Sequence, residues 1–515
     1  MRRVWGAPVD NDGNDPFAVY SDGRTFLDPH ETVTIERKLH DVRRYLDLGA
    51  DEQLPNDGIL DAQPLIQRAV TALHAMYLID GIPRQVYLPL GRWRLNTDIN
   101  WYGCSGIGLV GAGRTSTTLL PYGPNPAIRG VLTSGYDGPD YYDCVFEDFT
   151  IDCANQTADP SGDSTKVKGI FIQRMIRAWF ARVTILHSGA TSFGVDFLKQ
   201  SYFTDCYAID AGRFITDRKS TGAGFGFATG LWEDESISLV NCISLNCHSH
   251  GIFVEKSTSR LSAYPEKPGG YKPIGLRVVN HYAAGCYDGF FASGATAPLL
   301  LNCVFAYNDF AGVLIDENTL TLDGDDITQI RGCLIYKNGN GIDPNTSAKF
   351  INSGGVVLRK TTGLSPKIEE NVILENYGPG VRVYGSSAGP ALAIRGNQIL
   401  RNQESGILIS SGTGPKRTVI EGNQIFDNGT NASATYRDGI TFVNTILDHL
   451  VMVHNNVWDT RAAGSKTQQN GVQTTGTPLW TKPRVQDNNF DENAVASMGL
   501  SSNQSVTTFV TGNMV

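Results

Sequence analysis

The pentapeptide Gly251-Ile252-Phe253-Val254-Glu255 carries the pattern on which the whole chain is built. It combines a glycine with two apolar residues that are separated by a variable one. The same pattern recurs, at unequal intervals, at Gly169, Gly194, Gly226, Gly251, Gly289, Gly312, Gly341, Gly380, Gly406, Gly439 and Gly471. Constant strands separated by loops of free length are typical of a solenoid, in which each repeat adds one coil. We therefore expect a stack of coils, each with one such strand.

The composition narrows the class of protein. Glycine accounts for 56 of the 515 residues and charged residues for only 18%, which favours a turn-rich β structure over a helical one. The net charge is −9 and no basic cluster stands out, so nucleic acid is not an expected partner. No run of about 18 apolar residues is present, so we expect no membrane span.

The first ten residues lack the apolar segment of a secretory signal peptide. The expected location is therefore outside the cell by a route other than Sec secretion, or alternatively the cytoplasm. Turn signals dominate residues 1–38, which we expect to form an irregular cap or an attachment segment.

A series of motifs between residues 41 and 120 resembles a known family. They include Asn56-Asp57-Gly58, Asp61-Ala62-Gln63-Pro64 and Ile107-Gly108-Leu109-Val110-Gly111. In this order they resemble the N-terminal signature of the pectate-lyase-like proteins, also called pectate lyase 3. The resemblance implies an all-β chain, folded as a single right-handed parallel β-helix with an N-terminal capping α-helix. It implies no single activity, since the group includes hydrolases, lyases, epimerases and phage tailspikes.

The residues near 61–77 independently indicate a helix. Asp61 can cap it, and Pro64 is tolerated in its first turn. Apolar residues follow helical spacing at Leu65, Ile66, Ala69, Val70, Leu73, Met76 and Tyr77. A helix with one apolar face would suit the open end of the first coil. We expect three regions: the segment 1–38, a β-helix over 39–472, and a C-terminal partial coil and cap over 473–515.

A second phrase places asparagine two residues before an apolar residue. It occurs at Asn241, Asn302, Asn371, Asn397, Asn423 and Asn456. Asparagine tolerates left-handed backbone and bonds to nearby main chain, so a hydrogen-bonded ladder at one corner of the coils is expected. Four cysteines hold a similar place and should stack as small buried thiols: Cys206, Cys242, Cys303 and Cys333. Cys303 and Cys333 would lie close enough to bridge.

The alternation of residues identifies acids that face outward. If Ile252 and Val254 face the core, Glu255 faces outward, and the same register turns Asp196 and Asp316 outward. The opposite register would bury these carboxylates without partners, at considerable cost. Stacked coils repeat at about 4.8 Å, so Glu255 and Asp316, two coils apart, are expected about 10 Å apart.

A loop predicted next to Glu255 adds further candidates. A tryptophan beside carboxylates suits sugar binding, because the ring stacks on a pyranose while the acids reach hydroxyls. A glycosidase needs one carboxyl group as acid and another as base or nucleophile. The candidate catalytic residues are Asp234, Glu255, Asp316 and Glu233. The candidate substrate contacts are Trp232, Phe253, Arg218, Lys256, Tyr287 and Asp196. The competing interpretation is a plain solvated acidic face.

A lyase would instead need a cation to neutralise a uronate, together with a base. Candidates for these roles are Arg218, Lys219, Lys256 and Tyr287. Such an enzyme could hold calcium at Asp323-Gly324-Asp325-Asp326; otherwise we expect no metal and no cofactor. His250 and Asp288 each precede a glycine of the repeat, so a contact between them across adjacent coils is expected.

The expected function is recognition and hydrolysis of a polysaccharide or cell-surface glycan. The extra N-terminal segment and the lack of a signal peptide resemble phage tailspikes. That resemblance implies a homotrimer on a virion tail, with other tail proteins as partners. Two alternatives stay open. One is a bacterial lyase or epimerase acting on a uronate polymer, and the other is a non-catalytic glycan-binding structural protein.

Overall fold

The computed structural model of the chain describes most of its length. The described residues are 39–46, 53–131, 138–216, 218, 221–229, 231–232, 235–256, 275–293, 298–316, 328–342, 350, 352–359, 365–385, 389–410, 412, 414–476, 479–480, 482–490, 492–499 and 510–511. The segment 1–38, expected to be a cap or an attachment, lies outside them.

Parallel strands stacked one above another form the first side of a tube, here called face 1. Its 15 described strands form a single sheet. They are Ile99–Asn100, Ile128–Arg129, Tyr141–Tyr142, Ile170–Ile176, Phe193–Lys199, Phe225–Thr229, His250–Lys256, Asp288–Ser293, Ala311–Asp316, Gly354–Arg359, Val381–Tyr384, Ile407–Ser410, Ile440–Val443, Asn470–Thr475 and Ala496–Gly499.

Faces 2 and 3 together form a sheet of 28 described strands. Face 2 comprises Leu39–Asp41, Arg84–Leu88, Ile107–Gly111, Val145–Asp152, Trp179–Leu186, Ser201–Thr204, Ser236–Val240, Gly275–Val279, Leu299–Leu301, Gln329–Arg331, Lys367–Glu369, Ala391–Arg395, Arg417–Glu421, His449–Val453, Arg484–Gln486 and Val510–Thr511. Face 3 comprises Asp57–Asp61, Gly91–Leu95, Thr117–Pro121, Tyr207–Ile209, Ile243–Leu245, Tyr282–Ala284, Val304–Ala306, Leu334–Tyr336, Val372–Leu374, Gln398–Leu400, Gln424–Phe426 and Asn456–Trp458. Val145–Asp152 and Trp179–Leu186 extend across both faces. A two-stranded sheet, Ile446–Leu447 with Leu479–Trp480, completes the described strands.

The core lies inside the tube. In the strand His250–Lys256, Ile252 and Val254 are fully buried, whereas Glu255 is exposed, which confirms the predicted register. Each coil places its apolar side chains against those of the next, and the rings of Phe193 and Phe225 stack at 4.7 Å. Such continuous columns bury apolar surface along the whole tube, which is the main force that stabilises the fold.

The recurring glycines mark a corner with no room for a side chain. A Cβ atom at Gly406 would lie 2.6 Å from Ile425 Cγ2 and 2.8 Å from the Gly439 carbonyl oxygen. At Gly380 the same atom would lie 2.5 Å from Ile399 Cγ2. These isoleucines are the apolar residues of the asparagine phrase. In these coils the two recurring phrases therefore form the two sides of one contact.

Three glycines of the predicted repeat take other places. Gly194 and Gly226 pair with each other, and Gly226 pairs with Phe253, so both lie two residues further along their strands than predicted. Gly341 lies outside the strands of face 1, and Gly355 takes its place in the stack. A shift of two residues leaves the alternation of buried and exposed residues unchanged, so the pattern alone did not reveal it.

Buried asparagines form the predicted ladder. The backbone N–H and Nδ2 of Asn371 donate to Asn397 Oδ1 at 2.9 and 3.0 Å. The ladder continues through Asn423, Asn455 and Asn488. A second ladder on the other side of face 3 runs through Asn308, Asn338, Asn376, Asn402 and Asn428. Each rung satisfies buried backbone groups that the turn would otherwise leave without partners.

Not every predicted asparagine is a rung. Asn241 and Asn302 lie one residue before the ladder position and adopt left-handed φ angles of 55° and 52° at the corner. Asn456 lies one residue after it and is exposed. In the earlier coils the ladder position holds the four predicted cysteines, Cys206, Cys242, Cys303 and Cys333, all buried and free. Cys303 and Cys333 thus form no bridge. The buried His281 takes this position between Cys242 and Cys303, so the cysteines form two pairs rather than one stack.

The predicted helix is present as Gln63–Asp80. Asp61 Oδ1 accepts the backbone N–H of Gln63 at 3.1 Å, and left-handed Gly81 ends the helix at a φ of 69°. The buried residues are those predicted from spacing, Leu65, Ile66, Ala69, Val70 and Leu73, while Met76 is exposed. The helix packs on the first coils; its role as a lid stays a prediction. Within the described residues, no helix combines the length and the apolar character needed to cross a membrane.

Candidate functional site

Outward-facing residues of face 1 form straight columns, because its strands pair in register. One of these, here called the acid column, contains Gln173, Asp196, Ala228, Glu255, Ser293, Asp316, Arg359 and Tyr384. Glu255 and Asp316 lie two coils apart in it, as predicted, and so do Asp196 and Glu255. Each pair of Cα atoms is therefore separated by about 10 Å.

Asp196 is held by two donors. Its carboxylate accepts the backbone N–H of Ala228 at 2.8 Å and Nε2 of Gln173 at 3.1 Å. Both donors come from neighbouring coils, one on each side, so the stack itself fixes the direction of this carboxylate. Ala228 contributes only a methyl group to the column, which leaves space between Asp196 and Glu255.

Glu255 has different surroundings from Asp196. Its side chain is exposed as a whole, yet burial around the carboxyl raises its pKa, and the charge of Asp196 raises it further. Lys168 acts in the opposite direction. A carboxyl group that keeps its proton to a higher pH than a free glutamate is suited to act as a general acid.

Lys168 reaches this region because of a glycine. A Cβ atom at Gly194 would lie 2.6 Å from Lys168 Cδ and 3.0 Å from Nζ, so only glycine lets the lysine lie across the face. The Nζ atom lies 4.0 Å from the centre of the Phe171 ring. The sequence pattern counted Gly194 as a corner residue, and for that reason Lys168 was not among the predicted site residues.

Asp316 is an ion-paired carboxylate rather than a free one. Its register turns it outward as predicted, but its side chain is buried and pairs with Arg359 of the next coil. Arg359 was not predicted, because only the pairing of the two strands brings the residues together.

An aromatic cluster lies beside the acid column on the outside of face 1. Tyr287, a predicted substrate contact, is only 8% exposed. Its ring lies 5.3 Å from that of Phe310 and 5.1 Å from that of Phe350. Phe253, also a predicted contact, is partly exposed and stacks on Phe291 at 5.4 Å. Large apolar rings next to carboxylates are typical of sugar-binding surfaces.

The predicted contact between His250 and Asp288 is confirmed. His250 Nδ1 lies 3.1 Å from Asp288 Oδ2, and both side chains are buried. Burial raises the pKa of Asp288, and the nearby His250 imidazole offsets only part of this rise. The imidazole packs against the rings of Phe253 and Phe291, at 5.1 and 4.8 Å. The buried pair therefore packs against these two aromatic rings and helps to fix their positions.

The remaining predicted residues are more scattered. The backbone N–H of Trp232 donates to Glu235 Oε1 at 3.0 Å, and the Arg174 guanidinium lies 5.8 Å from its indole ring. Arg218 is ion-paired with Asp309, and Lys256 ends its strand opposite Thr229. Glu233, Asp234, Lys219 and the run Asp323 to Asp326 lie outside the described residues. Among the described residues there is no group of three or more His, Cys, Asp or Glu suited to a metal ion.

Comparisons with known proteins agree with this architecture. The family model described as "Right handed beta helix region" matches residues 269–447. The pre-mature gene product 12 of bacteriophage phi29 is similar in structure, with a TM-score of 0.51 and 12% identity, over 86% of this chain and 56% of that one. A search of curated proteins found no match.

Two enzymes are similar at lower scores. The GH87 α-1,3-glucanase of Streptomyces thermodiastaticus has a TM-score of 0.49 and 11% identity, over 86% of this chain and 69% of that one. The A-module of the mannuronan C-5 epimerase AlgE6 of Azotobacter vinelandii has a TM-score of 0.46 and 15% identity, over 92% and 98%. The coil architecture, the family match over residues 269–447 and the similarity to the phage protein together show that the chain folds as a right-handed parallel β-helix, which is the fold predicted from the sequence.

Proposed function

We propose that this chain binds a polysaccharide along face 1 and hydrolyses its glycosidic bonds. Glu255 acts as the general acid and Asp196 as the second carboxylate. The observation that carries the proposal is the column in which Glu255 lies two coils from the doubly hydrogen-bonded Asp196. The raised pKa of Glu255 agrees with the role of general acid. Two carboxyl groups in unlike surroundings are what glycoside hydrolysis requires. Phe253 and Trp232 supply aromatic surface for the sugar rings.

The spacing of the two residues favours an inverting reaction. Glu255 gives its proton to the leaving glycosidic oxygen, and Asp196 takes a proton from the water that attacks the anomeric carbon from the other side. Inverting enzymes separate the two carboxyl groups by about 6.5–9.5 Å to leave room for that water. Two coils with alanine between them are in keeping with such a separation. Asp316, paired with Arg359, is less suited to this role. Glu233 and Asp234 remain further candidates.

We further propose that the protein works as a homotrimer on a phage virion tail. Its fold is shared with a phage protein, and the segment 1–38 would attach it to other tail proteins. Sedimentation as a monomer at micromolar concentration would contradict the trimer.

Lys168 favours lyase action as a second candidate. This cation lies near Glu255 and influences its pKa, and a lyase needs a cation beside the uronate carboxylate. The products separate the two reactions, because a lyase leaves an unsaturated uronate that absorbs ultraviolet light, whereas a hydrolase adds water and leaves none.

Cleavage assays on a panel of bacterial capsular and exopolysaccharides test the proposal. We expect shortened chains and new reducing ends with the wild type, and a rate lowered roughly 10²–10⁴-fold with Glu255→Gln or Asp196→Asn. The matched control is Glu370→Gln, which changes an exposed glutamate at a corner away from face 1. Full turnover by Glu255→Gln would overturn the assignment. Tight binding of a glycan without cleavage would instead favour the non-catalytic alternative.

A further inference from the structure

Face 3 carries two outward columns, with one residue of each column in every coil. Column A contains Tyr207, Ile243, Tyr282, Val304, Leu334, Val372, Gln398, Gln424 and Asn456. Column B contains Ile209, Leu245, Ala284, Ala306, Tyr336, Leu374, Leu400, Phe426 and Trp458. The residue between them on each strand, such as Ile335, is fully buried and belongs to the core.

These columns are unusually apolar for positions that point away from the core. Column B has no polar or charged position except the hydroxyl of Tyr336 and the indole N–H of Trp458. Leu334 is 38% exposed, and Tyr307, at the adjoining corner, is 53% exposed. The solvent side of a strand normally carries polar residues. A continuous apolar stripe on the outside of the tube therefore indicates an interaction surface.

The charges beside the stripe are balanced within the chain. Glu375 pairs with Lys337 at 3.6 Å and with Arg401 at 3.2 Å. The chain as a whole has a net charge of −9. Because this flank carries paired charges of both signs, two copies of face 3 meet without a concentration of like charge.

The size of the stripe fits a second copy of this chain. Nine coils at about 4.8 Å span about 38 Å along the tube. The two columns provide eighteen residues, just below the roughly 20–30 that each side contributes to a stable protein interface, and the adjoining corner residues add to them. Each column has one residue per coil. When two tubes lie side by side, their columns therefore have the same spacing, and residues can pack one against one.

The composition of column A determines the direction of packing. It is apolar from Tyr207 to Val372 and amide-bearing from Gln398 to Asn456. Parallel copies place apolar against apolar and amide against amide, whereas antiparallel copies would bury amides against apolar residues. We propose that face 3 is the surface on which parallel copies of this chain pack about an axis along the tube. This inference rests on the proposed association of copies, for which it names the surface and the direction, and it does not depend on the catalytic proposal, which concerns face 1.

Analytical ultracentrifugation of the full chain tests the surface. The wild type should sediment as a multiple of the 56.0 kDa chain. Leu334→Glu combined with Leu400→Glu should raise the dissociation constant at least about tenfold, because charges then enter the apolar stripe. The control Leu299→Glu changes an outward, partly buried residue of face 2 and should leave association unchanged. A monomeric wild type, or equal association of all variants, would overturn the inference.

Cross-linking tests the direction independently of the stripe variants. Asn456 is exposed at one end of column A. In Asn456→Cys, a short bis-maleimide should join residue 456 of one copy to residue 456 of another, because parallel copies bring the two together. In antiparallel copies these residues would lie at opposite ends of the stripe, about 38 Å apart. The control Lys367→Cys, on face 2, should give no dimer. Failure of Asn456→Cys to cross-link in an associated sample would exclude parallel packing, whatever the outcome of the cleavage assays.

Discussion

At the scale of single residues, Glu255 and Asp196 show how one column produces two kinds of carboxyl group. Asp196 receives two hydrogen bonds from neighbouring coils, whereas the pKa of Glu255 is raised by burial around its carboxyl group and by Asp196 itself. The two carboxyl groups differ because different residues are stacked on either side of them. An acid and a base can therefore arise from a repeat that presents similar positions in every coil.

The pKa of Glu255 predicts the pH dependence of cleavage. The protonated form is the active one, so the rate should fall as the pH rises through a pKa above the usual 4.5. Glu255→Gln should lower kcat roughly 10²–10⁴-fold and abolish this alkaline limb. If the cleavage rate of Glu255→Gln still fell with rising pH as in the wild type, a group other than Glu255 would be responsible for the pH dependence.

The same shift makes a prediction about stability. The folded protein binds the Glu255 proton more tightly than the unfolded chain does. Its contribution to the free energy of unfolding is therefore largest below about pH 4.5 and is lost as the pH rises through the raised pKa. Urea unfolding should find Glu255→Gln at least as stable as the wild type at neutral pH. A clear loss of stability would indicate a structural role instead.

The asparagine ladder allows a matched test of a single rung. Asn397→Ala removes bonds to Asn423 and to the Ile368 carbonyl oxygen and leaves buried groups unpaired. We expect a loss of about 3 kcal/mol in the free energy of unfolding, measured by urea denaturation. The control Asn456→Ala alters an exposed asparagine and should cost less than about 0.5 kcal/mol. Equal effects would show that the ladder adds little.

At the scale of the element, the corner glycines determine how closely the backbone at the corner approaches neighbouring side chains. Gly406→Ala would place a Cβ atom 2.6 Å from Ile425 Cγ2, so one side chain or the backbone must move. The expected cost is about 1–3 kcal/mol. Gly412→Ala is the control, because no atom lies within 4 Å of its Cβ position. Thermal unfolding of both variants decides the question, and similar melting temperatures would contradict the packing argument.

The element is also the scale at which the sequence was most informative. Alternation identified Ile252 and Val254 as core and Glu255 as outward, and the structure confirms this. The alignment of coils was less certain, because a displacement of two residues preserves the alternation. Gly194 was misplaced in this way, and Lys168, which crosses it, was missed. Pairs such as Asp316 and Arg359 form only because their strands are neighbours in the sheet. The sequence of a single strand does not reveal its neighbour.

At the scale of the whole molecule, the tube converts distant sequence positions into neighbours. Gln173, Asp196, Ala228 and Glu255 come from four successive coils and meet in one column. On another side of the tube, face 3 carries the apolar stripe, which runs over nine coils. The molecule therefore separates the surface proposed for glycan from the surface proposed for association. Loops of free length then adapt either surface without disturbing the core.

A crystal structure of Glu255→Gln with a bound oligosaccharide substrate would show whether Glu255 and Asp196 flank the bond that is cleaved. We expect a sugar chain lying along face 1, with a glycosidic oxygen within hydrogen-bonding distance of the residue 255 side chain. We also expect the Asp196 carboxylate on the opposite side of that bond, near the anomeric carbon. An oligosaccharide bound on another face, or bound on face 1 with Asp196 and residue 255 out of reach of every glycosidic bond, would contradict this expectation.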